Sequence, residues 1–369
     1  SQARLAVRQS ATTITTSVDS IVNRGGINNT HRFSLNDSMM IKLPGVGAFI
    51  ACCGVLTALH TSAAALPPIV ATQFIFERAP FASAHASTIV ETRDGLVTAW
   101  FGGSREGASD VGIWLARQQP DGRWTEPREV ANGVQSAGTR YPAWNPVLFE
   151  VGQGTLTLFY KVGPTPRTWW GMVRTSLDSG RTWSDAQRLP DGVLGPIKNK
   201  PVRLGDGSVI AGSSTESDDT PSIWRVHFEL TRDDGATWSI VRPPLPSGGT
   251  AIDAIQPSLL LHRDGTVQAV GRTRSGRVFE TRSRDQGQSW TPVSLLELPN
   301  PNAGIDALTL RDQRHLIVYN HTTKGRSPLN VAISRDGSTW RNALTLEREP
   351  GEYSYPAVIQ TSDGRLHIT

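Results

Sequence analysis

Five tryptophans close short Asp-Gly turns at intervals of roughly fifty residues, at positions 124, 183, 238, 290 and 340. Three copies read Ser/Thr-x-Asp-x-Gly-x-Ser/Thr-Trp without departure: Ser176–Trp183, Thr231–Trp238 and Ser283–Trp290. Ser334–Trp340 is one residue short, and Arg117–Trp124 keeps only Asp121, Gly122 and Trp124. Each box is a hairpin turn in chemical terms. The Asp carboxylate accepts from N–H groups of its own turn, and Gly supplies a positive φ. The Trp is expected to pack beside the next repeat, its indole N–H seeking a carbonyl.

A second marker alternates with the first. Asp94-Gly95, Asp206-Gly207, Asp264-Gly265 and Asp363-Gly364 open short runs containing apolar residues, and Gly152-Gln153-Gly154 and Asp312-Gln313 fill the two gaps. Segments such as Leu96–Phe101 and Thr155–Tyr160 are rich in β-branched and aromatic residues and bounded by turn formers, which reads as strand. No sustained helical period follows Leu66. Two hairpins per ~50 residues make a four-stranded sheet, and radial repetition of such sheets is a β-propeller. Six markers predict an all-β, six-bladed propeller. Chance Asp-Gly turns in a sandwich would not hold one string at one spacing.

The ends bound the domain. Residues 1–38 are polar, and Met39-Met40-Ile41-Lys42 then opens a basic start, an apolar stretch from Val46 to Leu59 and Ala63-Ala64-Ala65. This predicts an upstream extension plus secretory signal over 1–65, a natural start at Met39 or Met40, and a propeller over 66–369. Fourteen apolar residues are short for a bilayer, so the product is expected to be exported, periplasmic or secreted, without stable membrane insertion. Both cysteines, Cys52 and Cys53, lie in that segment, leaving no disulfide or thiolate metal site downstream. The chain ends at His367-Ile368-Thr369, early in the second strand of the sixth blade. Either that blade is incomplete or Ile69–Glu77 supplies its outer strand.

Lys and Arg number 37 against 33 Asp and Glu, with no basic stripe, which argues against nucleic acid. No metal or cofactor motif is present, and none is expected to be needed. Both turn markers fall on one face of the wheel. The opposite face carries the segments leading into each innermost strand and the loops between second and third strands. Those lead-ins hold His85, Asn145, Lys198-Asn199-Lys200, Gln256, Asp306 and Glu352-Tyr353-Ser354. The loops hold Arg105 to Asp110, Arg167 to Trp170, Glu216, Arg272 and Arg274, and His321 to Arg326. Loops on a rigid scaffold are where binding and catalysis concentrate. Arg167 and Trp170 suit a sugar-stacking platform, and Arg105, Lys198, Asn199, Lys200, Gln256 and His321 are further substrate-binding candidates.

The boxes are the Asp-box, or BNR, repeats of the sialidase (neuraminidase) superfamily, and the downstream chain resembles its bacterial sialidase-like members. The resemblance implies an arginine triad for a substrate carboxylate, a tyrosine nucleophile assisted by a glutamate, and an aspartate acid/base. Tyr353 resembles the nucleophile, Glu216 its glutamate and Asp110 the acid/base, while Arg326 and either Arg272 or Arg274 resemble triad members. The first arginine departs from the family's pattern: the opening of blade one reads Ala84-His85-Ala86-Ser87, and His85 itself suits a hydroxyl ligand or base. Ala254-Ile255-Gln256 also lacks an acid that many sialidases carry.

The expected activity is hydrolysis of a terminal acidic sugar from a glycan or glycoconjugate with retention. The alternatives are a lyase on a uronate-containing glycan, using His85 or Tyr353 as base, and a non-catalytic carbohydrate-binding propeller.

Overall fold

The computed structural model describes residues 12–17, 69–152 and 154–369. These form six four-stranded antiparallel sheets around one axis, with no α-helix among the described residues. Blade one runs Ser83–Thr92, Gly95–Gly103, Gly112–Arg117 and Arg128–Ala131 from the axis outward. Blades two to five repeat the plan, their innermost strands being Ala143–Gly152, Val202–Arg203, Ala254–Leu261 and Asp306–Thr309. A small hairpin, Gly133–Val134 with Arg140–Tyr141, stands between blades one and two.

The sixth blade is closed by both ends of the chain. Val358–Gln360 and Arg365–Ile368 supply its inner strands, Thr12–Ser17 its third and Ile69–Phe74 its outer one. Ile14 pairs with Ile368 and packs into an apolar cluster with Leu316, Val331, Val358 and Leu366. Placing the whole of residues 1–65 outside the propeller is therefore corrected: an upstream strand lies within it, and the Ile69 segment does complete the blade. The segment expected to be a secretory signal, Met39, Met40 and both cysteines lie outside the described residues, as does Gln153 of the second marker.

The Asp-boxes hold their turns by one repeated network. In the second blade, Asp178 accepts from Ser176 Oγ at 2.8 Å, Thr182 N at 2.8 Å and Thr182 Oγ1 at 2.7 Å. Those donors hold its carboxyl well below the usual range. Asp233, Asp285 and Asp336 sit in equivalent sets. The indoles of Trp238, Trp290 and Trp340 donate to their own box glycines, Gly235, Gly287 and Gly337. Their faces cover the preceding blade, not the next one: Trp290 stacks on Phe228 at 3.6 Å, and Trp238 meets Phe159 edge-on. Indole on aromatic or aliphatic surface is the cement between blades, each pair adding about 1 kcal/mol beyond its buried area.

The lead-ins carry a second periodic feature. Ala86, Asn145, Lys198, Gln256 and Tyr355 all have positive φ, between 40° and 70°. Register breaks accompany three of them, between His85 and Thr88, between Trp144 and Val147, and between Ile255 and Ser258. Bulges of this kind re-aim a side chain. Non-glycine residues in this conformation are strained, and such strain concentrates at functional sites.

Candidate functional site

Arg272 lies at the end of the second strand of blade four and is 8% exposed, yet its side chain makes no hydrogen bond or ion pair among the described residues. Its Nε is fully buried without a partner. What surrounds the guanidinium is aromatic: the Trp224 ring at 5.2 Å and the Tyr355 ring at 5.3 Å. Desolvating a cation without a counter-ion is costly, and contact with a ring face offsets about 2 kcal/mol of that; the two terminal guanidinium nitrogens, unlike Nε, are not sealed from solvent. The remaining donors point to an anion.

Tyr355 gathers the rest of the hub. Its ring lies 4.3 Å from that of His85, and Arg326 reaches to 5.9 Å of it. Gln256 Nε2 donates to the phenol oxygen at 3.4 Å, while Gln256 Oε1 is buried with no partner. Burial pulls His85 down to about 4; the Arg326, Arg272 and Lys198 cations push the same way and Glu352 opposes them. The imidazole is therefore neutral at pH 7. Arg326 pairs with Glu352 and donates to Ser354 Oγ at 3.1 Å. Glu106 lies on the loop after the second strand of blade one, and partial desolvation pushes its carboxyl up. Glu352 adds to this, against Arg326 and Arg272.

Several sequence candidates are thus brought together: His85, Gln256, Arg272 and Arg326. Glu216 stands one contact away, accepting from the Trp224 indole at 3.1 Å. Others fall elsewhere. Tyr353 packs into the apolar cluster of blades five and six with Leu344 and Leu346, its N–H donating to the Arg326 carbonyl. Asp110 spends both oxygens on its own loop, accepting from Ser104 N and Oγ at 2.9 Å. Arg274 is committed to Asp253 at 2.8 Å and to the Ser222 carbonyl, with its guanidinium 3.8 Å over Trp224.

Lys198, Asn199 and Lys200 form a structural knot rather than a ligand surface. Lys198 Nζ binds the carbonyls of Ile305 and Pro356 and Oδ1 of Asn199, and burial lowers it to about 7. Asn199 holds the Gln256 carbonyl at 2.9 Å, and Lys200 pairs with buried Asp306. His321 is exposed beside Tyr319, Arg105 and Arg167 are exposed on their loops, and Trp170 lies under Arg188 and Tyr141.

The sequence reading missed Tyr355 and Trp224, and placed Glu106 and Glu352 on this face without giving them a role. A signal for Tyr355 was present. Asn145-Pro146, Gln256-Pro257 and Tyr355-Pro356 repeat one dipeptide pattern at or just ahead of the start of an innermost strand, each with a positive φ before the proline, and Gln256 and Tyr355 meet at the hub.

Fold and site together define an Asp-box propeller with a cationic, aromatic hub. Residues 94–368 match the BNR repeat-like domain, and the chain belongs to that family. No curated protein matches it. Among solved structures it is similar to a protein of unknown function from Dyadobacter fermentans, at 16% identity over 77% of this chain and 94% of that one, with a TM-score of 0.60. It is also similar to the Hadza microbial sialidase Hz136, at 18% identity over 75% and 61% of the two chains, TM-score 0.62. The NanB sialidase from Streptococcus pneumoniae aligns at 12% identity over 80% and 66%, TM-score 0.62. The chain thus spans about three fifths to two thirds of those two sialidases. At such identities the likeness is one of fold: the propeller is sialidase-like.

Proposed function

We propose that the hub binds the carboxylate of an acidic sugar terminus and cleaves the glycosidic bond beside it. The observation that carries this reading is Arg272, buried, cationic and unpaired, next to Arg326 and over Tyr355. A guanidinium edge matches a carboxylate bidentately, which fixes the sugar's orientation. The tyrosine nucleophile implied by the sialidase-like fold moves from Tyr353 to Tyr355. Neutral His85 is the group beside the phenol able to take its proton as it attacks the anomeric carbon. Glu106, held toward its protonated form, supplies a proton to the leaving oxygen. The reaction in this reading is retaining hydrolysis.

A second reading has its own support. The phenol oxygen of Tyr355 receives an amide N–H from Gln256, not a carboxylate, and amide cannot serve as its base. Elimination needs no attack by the phenol. His85 would remove the proton α to an arginine-bound carboxylate, and Tyr355 would protonate the departing oxygen.

One experiment separates these and tests both. The protein is incubated with sialylated and uronate-containing glycans, and reducing ends and ultraviolet absorbance of unsaturated uronate are recorded together. Reducing ends alone support hydrolysis, and both signals support elimination. Binding without either supports a carbohydrate-binding propeller and removes the catalytic proposal.

A further inference from the structure

We infer that Trp224 is the positioning residue for Arg272, an inference that rests on the anion-binding reading of the hub. Among the described residues no polar group bonds that guanidinium, so its place is set by what it packs against. Those groups are two rings, Trp224 at 5.2 Å and Tyr355 at 5.3 Å. A ring face holds a guanidinium through its plane and leaves the in-plane N–H donors open. A carboxylate in the same place would hold it better but would consume those donors and compete with the ligand.

Trp224 is itself immobilised. It is 5% exposed, its indole N–H is taken by Glu216 at 3.1 Å and its backbone N–H by Asp253 Oδ1 at 3.2 Å. Arg274 lies 3.8 Å from its ring centroid and is pinned by the other oxygen of Asp253. Swinging the indole would break its bond to Glu216 and its contact with Arg274 together. The role of Glu216 follows from the same contacts: it fixes the shelf on which Arg272 rests.

The test is a double-mutant cycle read by calorimetric binding of N-acetylneuraminate and galacturonate. Trp224→Leu is expected to weaken binding about tenfold, and Trp224→Phe, which keeps a face, only about threefold. In the Arg272→Gln background, Trp224→Leu should cost nothing further. A loss that persists in that background, or wild-type affinity in Trp224→Leu, overturns the inference. Wild-type affinity in Arg272→Gln itself overturns the hub reading instead. A second cycle needs no ligand. Arg272→Leu should raise the urea midpoint, and raise it further in Trp224→Leu, where the cation has lost a face. Equal shifts in the two backgrounds contradict the positioning role even if neither sugar binds.

Discussion

The rings of His85 and Tyr355 lie 4.3 Å apart, centroid to centroid, where the lead-ins of blades one and six meet. The imidazole is neutral and the phenol is braced by Gln256, so a base and an acid or nucleophile stand side by side. Tyr355→Phe should lower turnover of the responsive glycan by at least about a hundredfold. Tyr353→Phe, altering a side chain packed among aliphatic groups, should stay within about threefold. Comparing kcat for the two variants checks the assignment; the reverse order would restore Tyr353.

The pH dependence follows from the two perturbed groups. His85 works only when neutral, so kcat/KM should fall as pH drops through about 4. Glu106 works only when protonated, so an alkaline limb should lie above the ordinary carboxylate range and vanish in Glu106→Gln. A profile whose acid limb sits near the ordinary histidine value would remove His85 from the role.

Replacing Arg272 should trade binding for stability. Leu fills much of the same space without the uncompensated charge, so Arg272→Leu should weaken acidic-sugar binding by at least about tenfold while raising the denaturation midpoint. A fall in both would make Arg272 a structural residue.

Lys198 should behave in the opposite way. Lys198→Met orphans Asn199 Oδ1 and the carbonyls of Ile305 and Pro356, at a cost of about 3 kcal/mol. Chemical denaturation reads this directly. Unchanged stability with lost sugar affinity would return Lys198 to the ligand.

Blades four and five share a proton-dependent seam. Gln268 Nε2 donates to Glu280 and to the Gly337 carbonyl, so its Oε1 accepts from His262 Nε2. That leaves His262 Nδ1 to accept from His315 Nε2, and His315 Nδ1 to accept from Thr309. The chain closes only when both rings are neutral. Burial lowers His315 to about 4, with His262 and Arg282 adding to it and Asp336 opposing. The unfolded chain, with histidine near 6.5, therefore binds the extra proton first as pH falls. About 3 kcal/mol of stability, present above pH 6.5, should be lost as pH drops toward 4. Urea titrations of wild type and His315→Gln across that window should converge at low pH; parallel curves would contradict it.

The fold was legible because a propeller repeats its turn chemistry, and each box carries its own hydrogen-bonded network in eight residues or fewer. The sixth blade was not. Thr12–Ser17 is a short, mostly threonine strand whose partner lies some 350 residues away, at His367, and nothing local marks that pairing. The hub was legible by face but not by register. Two residues separate Tyr353 from Tyr355, and the positive φ at Tyr355, which no local sequence rule requires of a tyrosine, accompanies the ring that meets His85 at the hub. Charge alone misled at Lys198 and Asp110, because a side chain's position says nothing of what already satisfies it. Arg272 and Arg274 are equivalent in sequence, and Asp253 pairs with only the second of them.

The most direct measurement compares the binding of an acidic sugar with that of its methyl ester, by calorimetry on wild type and Arg272→Gln. The unpaired guanidinium should favour the free acid by at least about tenfold in wild type, and that preference should disappear in the variant. Equal affinity for acid and ester in the wild-type protein would contradict a carboxylate-gripping hub.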